Sequence, residues 1–291
     1  MTSARDYAGA RDIPRLQELV SRRWRAAGEP PVSVHVGDIP WRLLSIAQGD
    51  RFRIRLWEDD DGVAAWAWLT RPDELELSIA AGRHHELLDD VLGWAESTAE
   101  GPLKVDSLDA DTELRAQLES RGYRRLDEDE FFMHARRLAG TPGPTLPEGF
   151  ILRHVRLPED LGQRVEVHRS AFGRPGRPSR LTVESYVAVT EAWPYRPELD
   201  WVVESPDGSL AAFCLAWLDE DNRVGLLEPV GTHERHRRAG LASAACLGAL
   251  RALAAAGADH AVVSAFTDEA RALYRSIGFA EVGRYAWLRR G

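Results

Sequence analysis

The chain has 291 residues, long for one domain and comfortable for two of about 145 each. Hydrophobic residues make up 44% and charged ones 29%, with ten Trp, six Tyr and eight Phe, which excludes a mostly disordered or collagen-like chain. The two cysteines, Cys214 and Cys246, are too few for a disulfide framework or a cysteine-rich zinc module, and a net charge of −9 argues against a basic nucleic-acid surface.

Of the 37 basic residues only Lys104 is a lysine, so the side chains available to a phosphate are almost all arginines. The start, Met1–Asp6, has no apolar run of the kind a secretory signal needs. The most apolar long window, Ala239–Ala258, is mostly Ala and is broken by Arg251, so it reads as a buried helix and not a membrane span. A soluble, cytoplasmic protein is expected.

In chain order, Asp12–Val20 reads as an amphipathic helix after an acidic start. Gly62–Leu69 is a turn glycine followed by an apolar strand, Glu86–Ser97 a helix, and Leu118–Tyr123 a helix end that leads into a last strand. Leu138–Pro147 holds three prolines and two glycines in ten residues and can continue neither a helix nor a central strand. Beyond it the same elements recur: a helix at Glu159–Val167, an apolar strand at Gly208–Leu218, a helix at Leu241–Ala256 and a helix end at Tyr274–Phe279. A hairpin turn is expected at Asp219–Asn222, before a return strand at Arg223–Val230. Corresponding positions lie about 150 residues apart, too long for a solenoid repeat and right for a duplicated domain. Two domains are expected, 1–139 and 149–291 with a linker at 140–148, each α/β (α+β) with a mixed sheet.

The chemistry concentrates in Glu228-Pro-Val-Gly-Thr-His-Glu-Arg-His-Arg-Arg-Ala-Gly-Leu-Ala242, where a strand ends, a short polar loop follows and an Ala-rich helix begins at a glycine. Free N–H groups at a helix start, flanked by Arg237 and Arg238, make a phosphate cradle. The pattern is neither a P-loop nor Gly-x-Gly-x-x-Gly.

Arg237-Arg-Ala-Gly240-Leu-Ala242 resembles the Arg/Gln-x-x-Gly-x-Gly/Ala signature of the GNAT (Gcn5-related) N-acetyltransferases. Ala270-Arg-Ala-Leu-Tyr274-Arg-Ser-Ile-Gly278-Phe279 is similar to that family's Ala-x-x-Leu-Tyr-x-x-x-Gly-Phe segment, with one long helix and a strand between the two, as the family has. The likeness runs from about residue 149 to the end. The first half has the outline more faintly, so the whole resembles a tandem GNAT protein with a mostly antiparallel sheet in each domain. Aligning Gly248 with Gly93 puts Gly82 opposite Arg237, His85 opposite Gly240 and Leu87 opposite Ala242. The N-terminal copy would then be degenerate and bind no coenzyme A.

The resemblance implies acetyl-CoA as co-substrate, held by Arg237, Arg238, Ala239, Gly240, Leu241, Ala242 and Ser243 at the pyrophosphate and by Val230, Gly231 and Thr232 along the pantetheine arm. It implies no metal. It gives Tyr274 the role of acid to the leaving thiolate, and a carboxylate at Glu228 would deprotonate an ammonium acceptor directly or through water. Alternatively Glu228 pairs structurally with an arginine. His233 and His236 flank the cradle. Where the family often has Asn, this chain has Thr267, which instead reads as a helix N-cap. Trp193 and Tyr195, in a Pro- and aromatic-rich stretch, would face an aromatic or cationic acceptor. The activity implied is acetyl transfer to a primary amine, a small molecule before a protein, by direct attack. A tandem arrangement of this length also resembles mycothiol synthases, with a sugar-linked cysteine as acceptor. The reading from another class is a non-catalytic acyl-CoA sensor.

Overall fold

The computed structural model describes residues 2–46, 53–127 and 131–291. The first half opens with strand β1 (Ser3–Asp6) and helix α1 (Ile13–Ala27), which carries Pro14 in its first turn and stops at Gly28 with a φ of 77°. Ile13, Leu16, Val20 and Trp24 recur at helical spacing and face the core. Helix α2 (Asp38–Leu44) follows. Strands β2 (Arg53–Asp59), β3 (Gly62–Arg71) and β4 (Glu74–Ile79) form an antiparallel meander, and α3 (His84–Thr98) crosses over to β5 (Lys104–Leu108), parallel to β4. Helix α4 (Thr112–Ser120) leads to β6 (Tyr123–Arg125) and β7 (Phe131–Arg137).

The expected linker, Leu138–Pro147, carries no helix or strand. The second half repeats the plan with β8 (Ile151–His154), α5 (Leu161–Phe172), α6 (Val183–Thr190), β9 (Asp200–Glu204), β10 (Leu210–Asp219) and β11 (Val224–Thr232). Then come α7 (Leu241–Ala255), β12 (His260–Ala265), α8 (Asp268–Ser276) and β13 (Ala280–Arg290). Every residue of β10 is buried, because α5 covers one face of the sheet there and α7 the other. The hairpin between β10 and β11 turns where Asp219–Asn222 predicted it.

The feature that composition and pattern did not reveal is how the halves join. Among the described residues one sheet of 13 strands runs in the order β1-β2-β3-β4-β5-β13-β7-β12-β11-β10-β9-β8, with β6 beside β13. The last strand of each half has crossed to the other: β13 pairs with β5 and β7 pairs with β12. β7 and β13 also pair with each other and form the seam. The order is symmetrical about that seam, and all ladders are antiparallel except β4·β5 and β11·β12.

Three large cores follow. One lies under α3 and another under α7, including Cys214, Cys246 and Tyr274. The third joins the halves: Leu16, Trp24, Ile39 and Trp41 from the first pack with Leu215, Trp217 and Leu226 from the second. Each large apolar side chain removed from water there contributes roughly 1.5–3 kcal/mol to holding the halves together. No helix among the described residues is long and apolar enough to cross a membrane.

Candidate active site

β11 keeps β10 as a neighbour as far as Thr232, but the register slips so that Glu228 and Pro229 together oppose Leu215. Such a bulge bends its strand and re-aims the side chain upon it. On its other edge β11 pairs with β12 only over Val224–Leu226, after which the strands diverge. Among the described residues the backbone of Val230, Gly231 and Thr232 therefore has no strand partner on that side. Gly231 is a glycine by packing: a Cβ there would stand 2.6 Å from Cζ of Phe213.

Beyond the splay the chain makes one 3-10 turn and enters α7. Ala244 N–H makes the first bond of that helix, 3.1 Å to the carbonyl of Gly240, so the amides of Leu241, Ala242 and Ser243 precede the ladder and are free donors. Gly240 has a φ of 76°, which glycine adopts at no steric cost, and a Cβ there would meet nothing within 4 Å. Arg238 takes a left-handed φ of 66°, strain of the sort stored at functional loops. Arg237, Arg238 and Ala239 are exposed, and among the described residues the Arg237 guanidinium bonds only the carbonyl of Ala171, at 3.4 Å. Free amides at a helix start, with Arg237 and Arg238 exposed in the residues just before it, suit a pyrophosphate.

Glu228 leaves the bulge on the inner side of the splay. Burial, with Asp38 adding to it and Arg42 and a hydrogen bond from Trp41 opposing, raises its carboxyl from 4.5 to about 8. Its backbone carbonyl accepts a 2.6 Å hydrogen bond from the indole of Trp217. Tyr274 comes from α8, which Thr267 caps by accepting from Ala270 N–H at 3.2 Å, as the sequence led us to expect. Its phenol is buried, and burial, Cys246 and Glu228 hold it protonated well past its ordinary range. The charge of Glu228 is thus felt at the Tyr274 phenol.

Residues 169–279 match the acetyltransferase (GNAT) family model. Over that stretch the chain is similar to the GNAT acetyltransferases.

Solved structures extend the fold likeness over the whole chain. A GCN5-related N-acetyltransferase from Sphaerobacter thermophilus is 23% identical with a TM-score of 0.63, covering 99% of this chain and 95% of its own. A tandem GNAT protein from the clavulanic acid biosynthesis pathway is 14% identical with a TM-score of 0.64, covering 100% and 99%. A GNAT-family acetyltransferase from Colwellia psychrerythraea, 11% identical, also has a TM-score of 0.64, covering 99% and 100%. No curated protein matches the chain.

A cavity of about 390 Å³ adjoins the GNAT splay at Glu228. The domain supplies Leu226, Glu228 and Val262 to its wall; the N-terminal half supplies Asp38, Arg42, Glu76 and Asp106. The strap Val32–Asp38 brings the second set across. Trp24 Nε1–H donates to the carbonyl of Val34 at 2.6 Å, and the Tyr285 hydroxyl donates to that of Ser33. His35 accepts from Gly37 N–H on Nδ1 at 3.1 Å, so Nε2 carries the proton and donates to the Val224 carbonyl at 3.1 Å. Burial keeps this imidazole neutral, at about 4.

Trp193 and Tyr195 do not line this cavity: Trp193 is 57% exposed and Tyr195 packs edge-on against Trp217. Nor do His233 and His236, which sit in the turn before α7 with ring centres 5.8 Å apart. Sequence reasoning missed Asp38, Glu76 and Asp106. Asp38 and Asp106 stand in an ordinary helix and strand, and Glu76 in the acidic start of β4, with no pattern that links the three. The thiols of Cys214 and Cys246 are buried and free.

Proposed function

We propose that the protein transfers an acetyl group from acetyl-CoA to a primary amine of a small molecule, by direct attack within a ternary complex. What supports this reading is the parting of β11 from β12 beyond Leu226, with Glu228 just past it on β11, Tyr274 feeling the charge of Glu228, and the α7 amides before Ala244 left outside the helix ladder. Arg237 and Arg238 neutralise phosphate charge, while the amides of Ala239, Gly240, Leu241, Ala242 and Ser243 bond the pyrophosphate. Val230, Gly231 and Thr232 bond the pantetheine arm through the backbone. Glu228 takes a proton from the incoming ammonium, and the freed amine attacks the thioester carbonyl. Tyr274 protonates the thiolate as it departs. The bulge that re-aims Glu228 also leaves backbone donors at the splay to steady the developing oxyanion.

In this reading residues 149–291 carry the catalytic machinery, 140–148 are a linker, and residues 1–139 are a second copy that binds no coenzyme A. In the first half the corresponding helix start is closed: Arg83 is held by Asp59 and Glu86, and Leu87 is buried in the core. The amide of Glu86 is already used, bonding the Arg83 carbonyl at 3.1 Å.

The test is a panel of small primary amines with acetyl-CoA, followed by thiol release. Release with some amine, and its loss in Tyr274→Phe, supports the assignment. Binding of acetyl-CoA with no release from any amine supports a non-catalytic sensor instead.

A further inference from the structure

The cavity beside Glu228 is walled unevenly in charge. Six carboxylates and two arginines line it. Three of the six are spoken for: Glu74 pairs with Arg71 at 2.9 Å, Glu76 with Arg42 at 2.7 Å, and Asp111 with Arg23 at 2.6 Å. Arg42 holds Glu76 with both terminal nitrogens, so it is not free to receive an anionic substrate group. Among the described residues Asp38, Asp106 and Glu228 have no cationic partner at ion-pair distance, and Oδ1 of Asp106 is buried with no hydrogen-bond partner at all.

The duplicated frame makes the source of this charge plain. Lys104 stands opposite Glu74 in the parallel ladder of the first half, as His260 stands opposite Val224 in the second. Counting on in register, Glu76 corresponds to Leu226 and Asp106 to Val262. All four line the same cavity. One wall is apolar and the facing wall, from the half without a cradle, is acidic. Phe131 stacks on Tyr285 at 4.1 Å and on Phe266 at 4.7 Å, and Phe266, 71% exposed, marks where the cavity reaches the surface. Aromatic faces there favour an organic cation over an anion.

We propose that the acceptor carries two cationic groups, the reacting amine at Glu228 and a second ammonium or guanidinium against Asp106 on the wall of the N-terminal half. The inference rests on the acetyl-transfer reading for the first group and on the cavity alone for the second. A volume of about 390 Å³ suits a small molecule of that kind. The N-terminal half thereby gains a role of its own, since its acidic strand ends select the acceptor while the other half holds the donor.

The experiment compares butylamine with 1,4-diaminobutane on the full chain, by thiol release and, without acetyl-CoA, by calorimetry. A kcat/KM at least tenfold higher for the diamine, falling to under threefold in Asp106→Asn, is the expected result. Equal kcat/KM for the two amines in the wild type, or a preference that Asp106→Asn leaves untouched, overturns the second-cation assignment and leaves acetyl transfer standing. Selective binding of the diamine without thiol release supports the cavity assignment and removes the acetyl-transfer reading. If neither amine binds or reacts, both fall.

Discussion

The indole N–H of Trp217 holds the backbone carbonyl of Glu228 at 2.6 Å, and Gly37 of the other half lies flat against the same ring. A Cβ at Gly37 would come 2.3 Å from Cγ of Trp217, so the seat of the proposed base depends on a glycine nearly two hundred residues away. Gly37→Ala must displace a fully buried tryptophan. It should cost about 1–3 kcal/mol, read as a lower urea midpoint, and also lower the acetyl-transfer rate.

Glu228→Gln tests the base. With its carboxyl raised to about 8, wild-type kcat/KM for an amine should climb with pH and level off past 8. The glutamine variant should lose roughly 10²- to 10⁴-fold and the inflection with it. Stability moves the opposite way. The folded state keeps a proton that the unfolded state has lost above pH 4.5, so stability falls as pH rises from there to about 8. The slope is at most about 1.4 kcal/mol per pH unit from this group. Asp38, raised by burial to about 6, adds to the same trend at the lower end. Denaturant midpoints between pH 5 and 8 should therefore fall more steeply for wild type than for Glu228→Gln.

Tyr274→Phe removes a single oxygen from a ring that stays packed edge-on against Phe279 at 5.9 Å. The thermal midpoint should shift little, while kcat for thiol release drops about 100-fold, the scale of one positioned acid. An unchanged kcat would falsify the acid assignment.

Gly240→Val places a β-branched residue at a φ of 76°. The strain, about 1–2 kcal/mol, falls on the start of α7. Calorimetry should find acetyl-CoA affinity reduced tenfold or more, with the fold retained by far-ultraviolet circular dichroism. Affinity equal to wild type would remove the cradle from the binding site.

The exchange of β7 and β13 predicts how the halves behave apart. Residues 149–291 alone lose the β7 neighbour of β12 and all three strand partners of β13 (β5, β6 and β7), exposing long unpaired edges. Expressed separately, each half should aggregate or pair with itself. Mixed on refolding, 1–139 and 149–291 should form one 1:1 species by size-exclusion chromatography, and independent soluble monomers would contradict the exchange.

The local features were legible from residues because their causes are local. The Thr267 cap, the hairpin at Asp219–Asn222 and the helix start at Gly240 each depend on a side chain or φ value within a few positions, and the structure has all three. The same locality made the GNAT segments from Arg237 to Ala242 and from Ala270 to Phe279 recognisable, and with them Glu228 and Tyr274 as candidates. Duplication was legible too, since matched elements recur in order.

The partners of the terminal strands were not. Strand pairing runs through backbone groups that every residue carries, so nothing in Phe131–Arg137 or Ala280–Arg290 says which half each will join. Nor did any pattern mark Asp38, Glu76 and Asp106, which lie on different elements and meet only across the shared cavity. The amino-acid sequence by itself determined a chain of two matched halves, the second carrying the GNAT-like segments. Tertiary structure alone decided that Asp38, Glu76 and Asp106 of the first half share one cavity with Glu228 of the second, because that depends on contacts between residues more than a hundred positions apart.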